Sequence, residues 1–283
     1  MNFCSWPYNI MNLFKSQFLS ERCHLIQFSC YINMDRDLRD KVVLITGGAE
    51  GLGLTIADVY LQRGAKAVGL LDINANNGTA AANTLNKKYG QNKAAFFKCD
   101  VTSDLEDVFK RVIDTYKYVD VLVNNAGILN DFAVKKTIDI NVTALIEWSL
   151  KFWEHMRKDK GGKGGTIINL ASIYGYRVDQ YLPVYQASKF AVMGFTKSLG
   201  HSYNYERSGV RVYAICPGFT ETSLVKEIHV SNEEKFQKDA VNFIKRQLWQ
   251  KPDAVGRAAL ETFLKADSGT AWLIEGNKPL LQV

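Results

Sequence analysis

The chain has 283 residues, 47% of them hydrophobic and 23% charged, with five prolines; this is a globular composition with a large core to bury, which excludes a disordered or collagen-like chain. Its net charge of +6 comes from 35 Lys and Arg against 29 Asp and Glu scattered along the sequence, which argues against a nucleic-acid-binding arm. No run of 18 or more apolar residues offers a membrane span, and His24, His155, His201 and His229 lack the spacing of a zinc site.

Residues 1–33 hold Cys4, Cys23 and Cys30 among apolar residues that are repeatedly interrupted by polar ones. They read as an extension outside the fold, with a transit peptide as the alternative. Met34 then opens a single domain over 34–283. From Lys41 onward short β-branched runs alternate with helical periods, the pattern of βαβ units. The expected strands are 42–46, 67–72, 94–99, 121–124, 166–171, 210–216 and 271–274. Leu52, Ile56 and Val59 recur at helical spacing after the first strand, and Leu105, Val108, Phe109, Val112 and Tyr116 do so after the third. Right-handed crossovers put such helices on both faces, giving a doubly wound α/β Rossmann fold with a seven-stranded parallel sheet. Residues 219–249 break the rhythm where open α/β sheets bind ligands, and their apolar content predicts a helical lid over a substrate pocket.

Gly47, Gly51 and Gly53 lie between a strand and a helix, where the chain can turn sharply, approach a pyrophosphate and offer it helix N-terminal N–H groups. Asp72 ends the second strand about twenty residues on, positioned to accept hydrogen bonds from both adenosine ribose hydroxyls. A 2′-phosphate there meets like charge, reinforced by Glu50, so NAD is expected over NADP. Tyr185 and Lys189 stand four residues apart on one helix face, and Ser172 ends a strand run thirteen residues earlier. A phenol of pKa about 10 is a poor base near neutrality; Lys189 and a positive nicotinamide would favour its phenolate.

The motifs TGGAEGLG (46–53), Asp100-Val101, Asn124-Asn-Ala-Gly127, Asn141, Ser172, YQASK (185–189) and Pro217-Gly-Phe-Thr-Glu-Thr222 occur in an order that resembles the main branch of the short-chain dehydrogenase/reductase family over nearly all of residues 41–283. That resemblance implies a catalytic tetrad of Asn141, Ser172, Tyr185 and Lys189, with Asn141 holding a water that passes protons to Lys189. It implies cofactor contacts from Gly47, Gly51, Leu52, Gly53, Asp72, Asp100, Val101, Asn125, Ala126, Gly127, Tyr185, Lys189, Pro217, Gly218, Thr220 and Thr222, and no metal. Within the family, GGKGGTIINLASIYG, PVYQASKFAVMGFTKS and SGVRVYAICPGFTET look most like the NAD-dependent 15-hydroxyprostaglandin dehydrogenases and their invertebrate relatives. An apolar or lipid-like secondary alcohol, or the matching ketone, is the implied substrate. Leu182 stands where the prostaglandin enzymes carry a glutamine, which removes a polar partner for the reacting hydroxyl. The rival readings are an NADP-linked carbonyl reductase and a non-catalytic dinucleotide-binding protein. A homodimer or homotetramer without nucleic acid or integral membrane contact is implied, in the cytoplasm, or in mitochondria if residues 1–33 act as a transit peptide.

Overall fold

The computed structural model describes residues 36–225 and 230–283. The expected extension over 1–33 lies outside the described residues. From Leu38 to Val283 the chain forms one compact unit, built on strands β1 (Val42–Thr46), β2 (Ala67–Asp72), β3 (Ala94–Lys98), β4 (Val121–Asn124), β5 (Gly165–Leu170), β6 (Val210–Pro217), β7 (Ala271–Ile274) and β8 (Leu281–Gln282). They lie in the order β3-β2-β1-β4-β5-β6-β7-β8. The first seven are parallel, as expected, with boundaries that move by one residue at most. The eighth is an addition: two exposed residues pair antiparallel with β7 through Leu273 and Leu281, too short and too open to leave an apolar pattern.

Residues at successive strand positions go to opposite faces, and the two cores show it. Val43 and Ile45 of β1, Val121 and Val123 of β4 and Tyr213 and Ile215 of β6 enter one core. Val42, Leu44, Leu122 and Val212 enter the other. The near-continuous apolar strands in the sequence are therefore strands buried on both sides, as a parallel sheet requires.

The helices are α1 (Gly51–Gln62), α2 (Ala75–Tyr89), α3 (Leu105–Tyr116), α4 (Val134–Ile138), α5 (Leu145–Met156), α6 (Pro183–Leu199), α7 (Ser202–Ser208), α8 (Glu234–Lys245) and α9 (Pro252–Lys265). The first core is closed by α1, α2 and α9, through Ile56, Tyr60, Leu85, Val255 and Phe263. The second is closed by α3 and α5, through Val108, Val112, Trp148 and Phe152. The sequence period that singled out Val108 and Val112 finds both fully buried, while Leu105, Phe109 and Tyr116 flank them half-buried. Burying Phe152 alone contributes about 1.5–3 kcal/mol. Among the described residues no helix is long and apolar enough to cross a membrane.

Strand order reverses between β1 and β4, leaving a crevice outside the carboxyl ends of the central strands. A buried polar chain ties this point together. Asn124 Nδ2 donates to Ser149 Oγ at 2.8 Å and to Asn169 Oδ1 at 3.0 Å, and Asn169 Nδ2 donates to Thr196 Oγ1 at 2.9 Å.

Candidate active site

A cleft of about 830 Å³ opens at the carboxyl edge of the sheet. Every residue expected to touch a cofactor lines it except Gly53, and Gly53 has a packing reason to be glycine: a Cβ there would lie 2.2 Å from the Gly47 carbonyl oxygen. Gly47 has φ +61°, and its Cβ would meet the Ala126 Cα at 3.0 Å, so the turn closes against the end of β4. Asn125 fixes that closure, its Nδ2 donating to the carbonyls of Thr46 at 3.0 Å and Gly47 at 2.8 Å. The same turn binds Asp72, whose Oδ2 accepts from the Ala49 N–H at 3.1 Å while Oδ1 accepts from the Asn74 N–H at 3.0 Å. The acid is thus fixed at the rim of the cleft with lone pairs to spare. Asp100 turns its carboxylate to Thr102, accepting from its N–H at 2.9 Å and its hydroxyl at 2.7 Å. Opposite the glycine turn, the Ser223 hydroxyl donates to Glu50 at 2.5 Å, a contact 173 residues apart that closes one side of the cleft.

At the other end stand Ser172, Tyr185 and Lys189, all buried and all lining the cleft. Ser172 follows β5 in extended backbone and also caps the turn over Ile173–Gly175, accepting from the Tyr174 N–H at 3.2 Å. Tyr185 sits in the first turn of α6 and Lys189 one turn on, its ammonium 5.6 Å from the Tyr185 ring centroid and donating to the Leu170 carbonyl at 2.8 Å. Burial pushes the Tyr185 phenol up to about 12, against a smaller opposing effect of the Ser172 hydroxyl, and pulls Lys189 down to about 8. Without a bound cofactor the loss of water therefore decides where the phenol titrates; the expected lowering also invoked a positive nicotinamide.

Asn141, also expected here, is buried behind the cleft. It lies in a π-helical turn over Asp139–Ala144 that joins α4 to α5, a distortion that often marks functional positions. Its amide accepts from the Ile128 N–H and donates to the Ile128 carbonyl, both at 2.8 Å, and donates to Ser188 Oγ at 3.1 Å. A Cβ on Gly127 would come 3.2 Å from Asn141 Oδ1 and 3.8 Å from Lys189 Nζ. The glycine thereby leaves room between the two side chains.

Sequence reasoning missed Asp131. Pro183 opens α6 without an N–H, so the helix's next donors need acceptors. Asp131 supplies them, its two oxygens accepting from Val184 N at 2.7 Å and Tyr185 N at 3.0 Å. Asp131→Ala should lower the unfolding free energy by ~0.5–2 kcal/mol, the usual range for a lost N-cap, and Asp131→Asn by less. A urea midpoint unchanged in Asp131→Ala would show that the cap contributes nothing.

The described residues of the segment expected as a lid fall into two sets. Phe219, Leu224 and Val225 line the cleft, whereas Phe236, Phe243 and Trp249 are among the described residues that do not. Their rings are taken up by one another's neighbours: Tyr181 meets Phe236 at 5.3 Å and Phe243 at 5.2 Å, and Trp249 meets Phe219 at 5.5 Å. Leu182 also turns away, 1% exposed in that same cluster. Tyr174 lines the cleft instead.

The family model for short chain dehydrogenases matches residues 41–233. The chain is 40% identical over 190 residues to the NAD(+) 15-hydroxyprostaglandin dehydrogenases of Macaca fascicularis and Homo sapiens, covering 66% of this chain and 71% of each relative. It is 33% identical over 236 residues to alcohol dehydrogenase 1 of Ceratitis cosyra, covering 82% of this chain and 91% of that one. The solved structure of levodione reductase superposes with a TM-score of 0.73 at 25% identity, over 84% of this chain and 97% of the other. The glycine turn against β4, the tyrosine and lysine one turn apart at the foot of the cleft, and these matches lead to one conclusion: the chain belongs to the short chain dehydrogenase family.

Proposed function

We propose that this protein is an NAD-dependent dehydrogenase that oxidises the secondary alcohol of an apolar, lipid-like substrate. The observation that carries the proposal is the convergence of Ser172, Tyr185 and Lys189 at one end of a cleft whose other end holds the glycine turn and Asp72. The fixed carboxylate of Asp72 suits two ribose hydroxyls, and the names of the prostaglandin dehydrogenases carry NAD(+). NAD, when bound, supplies the hydride acceptor and a positively charged ring.

The protein's part is proton handling and positioning. Ser172 holds the substrate oxygen by a hydrogen bond, and Tyr185 takes its proton, acting as general base in oxidation and as acid in the reverse direction. Lys189 favours the phenolate by charge. Its proton can pass through the gap beside Gly127 to a water held at Asn141. Glu50 and Ser223 close over the glycine turn from the lid side.

Apolar side chains at the substrate end, Leu129, Phe219, Leu224 and Val225, favour a hydrocarbon chain. In a series of secondary alcohols assayed by NADH fluorescence, kcat/KM should rise about 4-fold per buried methylene, from ~0.8 kcal/mol each, until the pocket is full. Phe219→Ser should flatten that rise. A wild-type preference for short, charged hydroxy acids would refute the lipid-like substrate. Turnover of no alcohol under any condition would favour a non-catalytic dinucleotide binder. Leu150 and Phe190, 43% and 42% exposed on α5 and α6, are the apolar surface a dimer through these helices would cover. The buried free thiols of Cys99 and Cys216 suit a reducing, cytoplasmic setting.

A further inference from the structure

The chain leaves β6 after Pro217 and opens α9 at Pro252, and one residue stitches the two ends of the intervening segment together. Gln250 N donates to the Phe219 carbonyl and Glu221 N donates to the Gln250 carbonyl, both at 3.0 Å, an isolated parallel bridge centred on Thr220. The side chain adds a second stitch. Gln250 Nε2 donates to Thr220 Oγ1 at 3.2 Å and to the Ile274 carbonyl, at the end of β7, at 2.9 Å; Thr220 Oγ1 in turn donates to the Gly218 carbonyl at 2.9 Å. Gln250 is 2% exposed, and its Oε1 is buried with no hydrogen-bond partner among the described residues. Turning the amide over would set that oxygen against the Ile274 carbonyl. A buried acceptor without a donor lowers stability, so packing alone does not explain a glutamine here.

In a parallel bridge the residue flanked by the two bonds turns its own N–H and C=O to the other edge. Thr220 therefore keeps its peptide groups clear of Gln250; its carbonyl meets the Thr222 hydroxyl only at 3.5 Å, and Thr220 lines the cleft. It does so at the reacting end, because the adjoining Phe219 packs edge-on against Tyr174 at 6.0 Å, and Tyr174 against Tyr185 at 6.3 Å. A nicotinamide that accepts hydride beside Tyr185 lies at this end. Its ring carries a primary carboxamide, an acceptor oxygen with an NH2, and a peptide edge offering one N–H and one C=O matches that group. We infer that Gln250 is a positioning residue for the nicotinamide, holding the Thr220 peptide edge in register with the carboxamide. Gln250 itself does not line the cleft, so it acts through Thr220, by the bridge and by the grip on the hydroxyl. This inference rests on the NAD reading above.

The test measures binding to the full-length protein without turnover, using three probes. NADH carries the carboxamide, ADP-ribose lacks the nicotinamide, and the reduced 3-acetylpyridine analogue replaces the amide by a methyl ketone that has no N–H to give. Gln250→Met keeps the length of the side chain and removes its donors. It should weaken NADH by ~10-fold, the order of one neutral hydrogen bond, and ADP-ribose by less than about 2-fold. The wild-type preference for NADH over the acetylpyridine analogue should shrink toward one in the variant. Thr220→Val removes the gripped hydroxyl and should give the same split, and the double variant should lose no more than either single one, because both break one connection. NADH affinity unchanged in Gln250→Met overturns the assignment, as does an equal fall for NADH and ADP-ribose, which is what a purely structural glutamine would produce. Should Gln250→Met fail to fold, Thr220→Val decides alone, and NADH affinity retained there overturns the assignment. If wild type binds neither NADH nor ADP-ribose, the failure belongs to the NAD reading, because the ADP-ribose arm does not depend on Gln250.

Discussion

Tyr185→Phe should cut turnover by ~100-fold or more while leaving NAD affinity near wild type. The substitution removes one oxygen and keeps the ring, whose edge-on contact with Tyr174 and buried seat in the lid cluster hold the geometry of α6. What is lost is the hydroxyl proposed to take the substrate's proton, and its task is demanding. In the protein alone burial pushes this phenol up to about 12, so at pH 8 only on the order of one molecule in 10⁴ carries a phenolate. Oxidation therefore depends on positive charge arriving beside the ring, from the nicotinamide and from Lys189. A base works when deprotonated, so kcat for oxidation should rise with pH through the phenol's value in the loaded enzyme and level off well below 12. A profile that still climbs above pH 10 would show that the cations do not assist. Stopped-flow single turnovers and a separate NAD titration distinguish the two parts of the prediction. Near wild-type rates in Tyr185→Phe would require a different base.

On the proposed mechanism Lys189 is what distinguishes this phenol from an inert core tyrosine. Burial draws its ammonium down to about 8, so its charge is present below that pH and wanes as pH rises through it unless a neighbouring phenolate sustains it. On the proposed mechanism an ammonium and a phenolate this close would each favour the other's ionised form in a site with little water. Ser172, whose hydroxyl acts to lower the phenol, works in the same direction but without a charge.

The legible parts of this chain were those governed by short-range repetition. Strand runs such as 42–46 and 210–216 appear because both faces of a parallel sheet are buried, and α3 appears because Val108 and Val112 share one stripe. The glycine turn and the Tyr185–Lys189 pair were legible because their chemistry demands fixed spacing. What escaped was set by tertiary contact. Asp131 reaches α6 from 53 and 54 residues away, and no local pattern announces such a cap. The π turn around Asn141 leaves no mark in residue types. Apolar residues over 219–249 led to the expectation of a lid but did not tell which of them line the cleft, since a helical period cannot tell a ring facing a ligand from one facing Tyr181. Burial depth at Tyr185 was illegible for a related reason: spacing along a helix reports a neighbour's charge and says nothing of the water lost around the phenol.

The cofactor prediction carries an effect of similar size. The protein should use NAD at least ~100-fold better than NADP in kcat/KM, and the cause lies in how Asp72 is held. Its oxygens accept from Ala49 N at 3.1 Å and Asn74 N at 3.0 Å, so the carboxylate cannot swing aside from an incoming 2′-phosphate as a free surface acid could. Two unit charges about 4 Å apart at a protein rim repel by roughly 4 kcal/mol before screening. Even two thirds of that is a hundredfold. Asp72→Ala removes the repulsion but also the acceptor for both ribose hydroxyls, and it releases two N–H groups that a phosphate could take. The gap should therefore narrow from both sides, with NAD losing more than NADP gains. Parallel titrations of the two cofactors against wild type and Asp72→Ala would read this directly. Equal use of NAD and NADP by the wild type would mean that the acid at the end of β2 does not face the ribose, and the NADP-linked reductase would become the better reading of the same cleft.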